Sequence, residues 1–141
     1  MQLQISSQWH LDHIGIAVRD LDGSATHYRE KLGAEILERE IVPTQNVEVQ
    51  FLKLGGAVLE LISSINDQGP IAKFLAKRGE GIHHLAYEVT DINKTLQVLG
   101  QSGIALIDSV SRPGSRKCQV AFLHPKSCGG VLIELFEPET P

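Results

Sequence analysis

Hydrophobic and polar positions alternate in two stretches that repeat each other, residues 11–21 (LDHIGIAVRDL) and residues 82–92 (IHHLAYEVTDI). Alternation with a period of two predicts a β-strand in each stretch. His13 and His84 begin these strands. Each histidine lies on the face with the smaller side chains, called here the lighter face, opposite the larger apolar side chains. A phrase repeated in this way predicts two copies of one structural module.

The apolar pattern changes to helical spacing after each of these strands. A stripe from Leu21 ends at Gly33, and a second stripe from Ile92 ends just before Gly103, so a helix is predicted in each module. Three more strands are predicted after each helix, and Gly55-Gly56 is typical of a tight hairpin turn. The predicted strands cover about 35–40, 47–53 and 57–63 in the first module, and about 105–109, 118–124 and 131–137 in the second.

This order of elements predicts an α+β protein made of two tandem βαβββ modules. Module one covers about residues 10–63 and module two about residues 82–137, with a linker helix at about 70–79. No flexible low-complexity linker separates the modules, so residues 1–141 are expected to form a single domain. We expect a curved eight-stranded mixed sheet around a metal site, with the lighter faces lining its hollow.

The repeat also pairs two glutamates that are candidate metal ligands. Glu60 and Glu134 each follow a Gly-Gly pair by four residues and lie within apolar strands. A buried carboxylate is costly unless it is paired or binds a metal. Taken singly, a strand histidine or glutamate is usually solvated or hydrogen-bonded, but matched positions for His13, Glu60, His84 and Glu134 favour one divalent ion. Alternation puts the neighbouring His83 on the opposite face, so His84 is the preferred ligand.

Composition narrows the partners that this chain can have. The formal net charge of −4 gives no support to general nucleic-acid binding. No apolar run reaches the roughly 18 residues that a membrane-spanning helix needs. The first residues lack the basic and apolar regions of a secretory signal. Cys118 and Cys128 fit no zinc-binding spacing, so we interpret them as free thiols of a cytoplasmic protein.

Four segments together carry a family resemblance: DHIGIAVRDL, YREKLG, PIAKFLAKRGEGIHHLAYEVTDI and VAFLHPKSCGGVLIEL. They resemble the vicinal oxygen chelate superfamily, and most closely its methylmalonyl-CoA epimerase family. The resemblance implies a divalent ion (Co, Mn, Ni or Zn) on His13, Glu60, His84 and Glu134, an acyl-CoA substrate and a homodimer. The segment RPGSRKCQV departs from the Gly-rich pattern that this family usually has there.

Epimerisation at a carbon between a thioester and a carboxylate removes a proton from one side and returns one to the other. Two proton-transfer groups on opposite sides of that carbon are the simplest arrangement. Glu48 has Gln119 as its repeat partner, which cannot titrate, so the scaffold carries this acid on one side only. The resemblance implies Glu48 as one base and Glu134 as the other. Lys126, in the loop before the Glu134 strand, is the preferred contact for coenzyme A phosphates.

Two other functions are compatible with the same scaffold. A glyoxalase I-like lactoylglutathione lyase would use the same ligands on a glutathione hemithioacetal. A metal-free protein that binds a metabolite or an antibiotic would need none of them. The complete set of four ligands argues against the metal-free protein, but a fold alone does not select a reaction.

Overall fold

The helices and strands of this computed structural model are described for residues 5–139. The first module consists of β1 (His10–Ala17), α1 (Leu21–Leu32), β2 (Glu35–Val42), β3 (Val47–Leu54) and β4 (Ala57–Ser64). The linker helix α2 (Pro70–Arg78) follows. The second module consists of β5 (Gly81–Glu88), α3 (Ile92–Gln101), β6 (Arg112–Pro113), β7 (Gln119–Leu123) and β8 (Ile133–Glu137).

The eight strands form the mixed sheet of an α+β fold, which confirms the predicted fold class. Contacts divide the chain into two compact units. The first unit comprises residues 13–83, and the second unit comprises the described residues before 13 and after 83. None of the helices within residues 5–139 is long and apolar enough to cross a bilayer. The arrangement as a single domain stays a prediction.

The strands of the first module follow the order β2-β3-β4-β1, antiparallel except for the parallel pair β4 and β1. Glu60 is the partner of Phe51 on β3 and of Gly15 on β1. Partners in register share a face of the sheet, so Phe51, Glu60 and the lighter face of β1 lie on one side. Helix α2 packs on this side through Ile71 and Leu75.

The opposite side of this half-sheet carries α1. Its buried residues Leu21 and Ala25 pack against Leu52, Leu59 and Leu61. Each side of β3 and β4 therefore has its own apolar cluster, and the strand alternation decides which cluster a side chain joins.

The second module repeats this register in the order β5-β8-β7-β6. β5 and β8 are parallel, whereas the pairs β8–β7 and β7–β6 are antiparallel. Glu134 is the partner of Phe122 on β7 and of Ala86 on β5. Glu134 therefore has the same relation to Phe122 that Glu60 has to Phe51.

The aspartates that end the repeated phrase begin the helices. Asp20 caps α1 by accepting a hydrogen bond from the backbone N–H of Gly23 at 3.0 Å, and Asp91 caps α3 through Lys94 at 3.2 Å. A capping aspartate satisfies a backbone donor that the helix itself leaves unpaired. Gly33 ends α1 in the left-handed conformation at φ 74°, as its position predicted.

No strand forms at residues 105–109, so the prediction of a strand there is wrong. The chain there makes only an isolated bridge between Leu106 and Leu123. The Asp108 carboxylate accepts a hydrogen bond from the N–H of Phe122 at 2.8 Å, while the Phe122 carbonyl accepts from Ile107 and Asp108. A side chain thus replaces one backbone partner, and the short edge strand β6 forms later, at Arg112–Pro113.

Candidate functional site

His13 and Glu60 form a buried pair in the first unit. The distance from His13 Nε2 to Glu60 Oε1 is 3.5 Å, and the two side chains are only 2% and 7% exposed. The Phe51 ring meets the imidazole edge-on, with centroids 5.4 Å apart and planes at 89°. The three side chains lie together because β3, β4 and β1 are in the register described above.

His84 and Glu134 form the equivalent pair in the second unit. The distance from His84 Nε2 to Glu134 Oε1 is 3.7 Å, and the side chains are 3% and 8% exposed. The Phe122 ring meets this imidazole edge-on as well, at 5.8 Å and 88°. The sequence repeat is therefore a repeat of side-chain geometry, which includes two phenylalanines that sequence reasoning did not select.

The donor set of each pair suits a divalent metal. Imidazole nitrogen and carboxylate oxygen are common ligands of first-row divalent ions. The nitrogen-to-oxygen distances exceed an ordinary hydrogen bond of about 2.9 Å. They are close to the roughly 3.4 Å that separates two ligands about 2.1 Å from one tetrahedral ion. Each unit thus offers one nitrogen and one oxygen donor to an ion.

The two adjacent histidines of β5 point to opposite faces of the strand. His84 is buried and pairs with Glu134. His83 is half-buried and meets the ring of Phe74 on α2 edge-on at 5.0 Å. The structure therefore brings His84, and not His83, to the carboxylate of β8.

The structure does not bring Glu48 to the His13–Glu60 pair. Glu48 is the register partner of Ser63, three residues beyond Glu60 on β4, so it lies on the α1 side of β3. There its carboxylate accepts a hydrogen bond from Nε of Arg39 at 3.2 Å. Arg39 also donates to Asp22 of α1, and these bonds to Asp22 and Glu48 raise the pKa of the Arg39 guanidinium.

Lys126 is exposed in a short 3-10 turn, Pro125–Ser127. Its backbone N–H donates to Nδ1 of His124 at 3.1 Å, which closes the turn locally. The side chain is therefore accessible from solvent, as a contact for a coenzyme A phosphate requires.

Two arginines of the segment RPGSRKCQV, which departs from the family pattern, lie over aromatic rings of the second unit. The guanidinium of Arg112 lies 5.6 Å from the centroid of Phe122, and that of Arg116 lies 5.5 Å from the centroid of Phe136. Arg116 also pairs with Asp12 at 2.7 Å. Its backbone is left-handed at φ 54°, so this segment adopts with an arginine a conformation that usually requires glycine.

The fold and these residues define a known superfamily. The chain belongs to the Glyoxalase/Bleomycin resistance protein/Dioxygenase superfamily, whose family model matches residues 12–122. It is 39% identical over 133 residues to the mitochondrial methylmalonyl-CoA epimerase of Homo sapiens, covering 92% of this chain and 76% of that protein. The predicted resemblance to the methylmalonyl-CoA epimerases is thereby confirmed, and with it the enzyme class, an epimerase.

Solved structures give the same assignment. Methylmalonyl-CoA epimerase from Mycobacterium tuberculosis is 39% identical with a TM-score of 0.86, covering 92% of this chain and 88% of that one. A Streptomyces coelicolor methylmalonyl-CoA epimerase variant, solved in complex with 2-nitronate-propionyl-CoA, is 34% identical with a TM-score of 0.86. That comparison covers 94% of this chain and 98% of the other.

Proposed function

We propose that this chain interconverts the two C2 epimers of methylmalonyl-CoA, with one divalent ion held by His13, Glu60, His84 and Glu134. The observation that carries this proposal is the repeated geometry of the two buried His–Glu pairs. A buried carboxylate beside an imidazole, occurring twice at matched positions, has a common explanation in a shared ion. Membership of the epimerase family supplies the substrate class, an acyl-CoA.

The reaction needs a stabilised carbanion and a means of moving a proton. The hydrogen at C2 is weakly acidic because its carbon lies between a thioester and a carboxylate. When bound, the divalent ion supplies a Lewis acid that stabilises the negative charge of the enolate. The edge-on phenylalanines hold the imidazoles of His13 and His84 in fixed orientations, which keeps these donors preorganised.

Glu134 serves as one proton-transfer group in addition to its role as a ligand. Its carboxylate is buried beside Phe122, so water is largely excluded from it. The assignment of Glu48 as the second base stays a prediction, and its position on the α1 side of β3 argues against it.

The remaining parts of the proposal concern binding and assembly. Lys126 contacts a phosphate of coenzyme A, because its side chain is exposed at the loop that leads into β8. The protein works in the cytoplasm as a homodimer, with no nucleic-acid or membrane partner. Because Lys126 is proposed to contact a phosphate and not the reacting carbon, Lys126→Ala should raise KM for methylmalonyl-CoA with little change in kcat. A change confined to kcat would contradict the phosphate contact.

The decisive experiment measures exchange of the C2 proton of methylmalonyl-CoA in deuterated water. Purified protein loaded with Co²⁺ or Mn²⁺ should incorporate deuterium at C2 and interconvert the epimers, and metal-stripped protein should do neither. Activity on a glutathione hemithioacetal without C2 exchange would show a lyase instead. Tight substrate binding without exchange in the metal-loaded protein would show a binding protein.

A further inference from the structure

Glu88 lies at the end of β5 on the same face as His84. Alternation along β5 puts His84, Ala86 and Glu88 on one side of the strand. Ala86 is the register partner of Glu134, and Glu88 is the partner of Phe136, two residues further along β8. Glu88 and Glu134 are therefore diagonal neighbours on one face, with backbone positions about 8 Å apart.

This spacing suits two groups that act on one carbon atom. Reacting atoms in a productive complex are about 3–3.5 Å apart. Two carboxylates on opposite sides of a carbon are thus separated by roughly twice that distance, about 6–7 Å. Glu88 and Glu134 project from one face of the sheet, and their side chains are long enough to bring the two carboxylates to this separation around one carbon atom.

The Glu88 carboxylate is also not committed to a structural contact. Among the described residues it has no hydrogen-bonding or ion-pair partner, although it is half-buried. By contrast, Glu137, the acidic residue at the end of β8, accepts a hydrogen bond from the backbone N–H of Ile92 at 3.0 Å. Glu88 is therefore the acidic residue of this face whose presence packing and capping leave unexplained.

The first module has no acidic residue at the position equivalent to Glu88. The counterpart of Glu88 in the first module is Ala17, which is fully buried in the apolar cluster with α2. The symmetric scaffold thus carries this acid in one module only, as expected for a residue that does chemistry on an asymmetric substrate.

The pKa of the Cys118 thiol is shifted by burial and by nearby charges, which include the Glu88 carboxylate. Burial raises the pKa of the Cys118 thiol, the positive charge of Arg116 lowers it, and the carboxylates of Asp12, Glu134 and Glu88 raise it further. Cys118 packs in one apolar cluster with Ala86, Val120 and Phe136. The carboxylates of Glu88 and Glu134 thus both act on one thiol that packs against this face of the sheet.

We propose that Glu88 is the second proton-transfer group of this epimerase and acts on the face of C2 opposite Glu134. The inference rests on the proposed function. In one direction, one carboxylate takes the C2 proton as the C–H bond breaks, and the electron pair delocalises into the enolate. The other group, in its protonated form, then donates a proton to the opposite face of C2, and a new C–H bond forms. Proton exchange with water resets both groups, so no oxidant or reductant is needed.

The test compares Glu88→Gln with the wild type on each epimer of methylmalonyl-CoA separately, in deuterated water with Co²⁺. Interconversion should fall by roughly two to four orders of magnitude. Exchange of the C2 proton should persist for the one epimer that Glu134 deprotonates and be lost for the other. Equal exchange of both epimers near the wild-type rate would overturn the proposal.

The matched control is Glu137→Gln, because Gln can still accept the hydrogen bond from Ile92 and the side chain lies on the other face of β8. It should retain wild-type exchange of both epimers. Glu88→Asp keeps a carboxylate and should recover part of the lost interconversion, whereas the same loss as in Glu88→Gln, with an unchanged melting temperature and metal content, would contradict proton transfer. If the wild type exchanges neither epimer, the proposed function itself fails; an active wild type with an unaffected Glu88→Gln variant contradicts only this inference.

Discussion

The imidazole of His84 lies edge-on against the ring of Phe122, with centroids 5.8 Å apart. His13 has the same relation to Phe51 in the other unit, at 5.4 Å. Both phenylalanines are the register partners of the glutamates that pair with these histidines. Each candidate ligand pair is thus backed by an aromatic side chain that fixes the orientation of the imidazole.

Phe122→Leu should weaken binding of Co²⁺ or Mn²⁺ by about 10-fold, the lower end of the usual effect of residues that orient metal ligands. The variant keeps an apolar side chain but loses the flat ring that limits rotation of His84. Calorimetric titration of the metal-free protein measures the change. Phe74→Leu is the control, because Phe74 meets His83 instead. Equal affinities of the Phe122 variant and the wild type would show that the ring does not orient the ligand.

His84→Ala should abolish stoichiometric metal binding and epimerase activity, while His83→Ala should retain both to within a few-fold. Only His84 lies beside the carboxylate of Glu134, whereas His83 packs against Phe74 of α2. Elemental analysis after metal loading, together with an exchange assay, separates the two variants. Loss of metal in the His83 variant alone would contradict the assignment.

Glu48→Gln tests the base that the family resemblance implies. Because Glu48 lies on the α1 side and binds Arg39, we expect turnover within a few-fold of the wild type and unchanged metal content. Loss of the partly exposed ion pair between Glu48 and Arg39 should lower the free energy of unfolding by about 0.2–1 kcal/mol, measured by urea denaturation. A fall in turnover by two to four orders of magnitude with intact metal content would instead establish Glu48 as the base.

The Cys118 thiol should make stability depend on alkaline pH. Burial raises its pKa above the ordinary value of 9.0, so the native state holds a proton that the unfolded chain releases. The stabilisation that this provides is present below pH 9 and is lost as the pH rises through the elevated pKa. Urea unfolding at pH 8 and pH 10 should therefore show a larger fall for the wild type than for Cys118→Ala. The same fall in both proteins would exclude a contribution from this thiol.

The sequence predicted the four candidate ligands because alternation and equal spacing are local properties. His13 and Glu60 could be assigned to one face from their strands alone, and the repeat supplied His84 and Glu134. The side of the sheet on which Glu48 lies was also within reach. The two-residue turn at Gly55-Gly56 fixes the register of β3 against β4, which pairs Phe51 with Glu60 and puts Glu48 on the opposite face.

Other features depended on contacts that no local pattern reports. The segment at residues 105–109 has the composition of a strand, but the Asp108 side chain takes a backbone partner from it. Arg116, which lies over Phe136, belongs to a turn in which it and Lys117 are left-handed although neither is glycine. Such a turn is expected where glycine or asparagine occurs, so no local pattern at Arg116 and Lys117 predicted it.

The two capping aspartates also bear on the order in which the chain folds. Asp20 and Asp91 each begin a helix through a contact only three residues away. Contacts this local can form before any distant strands meet, whereas the parallel pairs β1–β4 and β5–β8 must close loops of more than 40 residues. We therefore expect each module to begin folding at its own helix cap, and each histidine to meet its glutamate only when the long-range strand pairing forms.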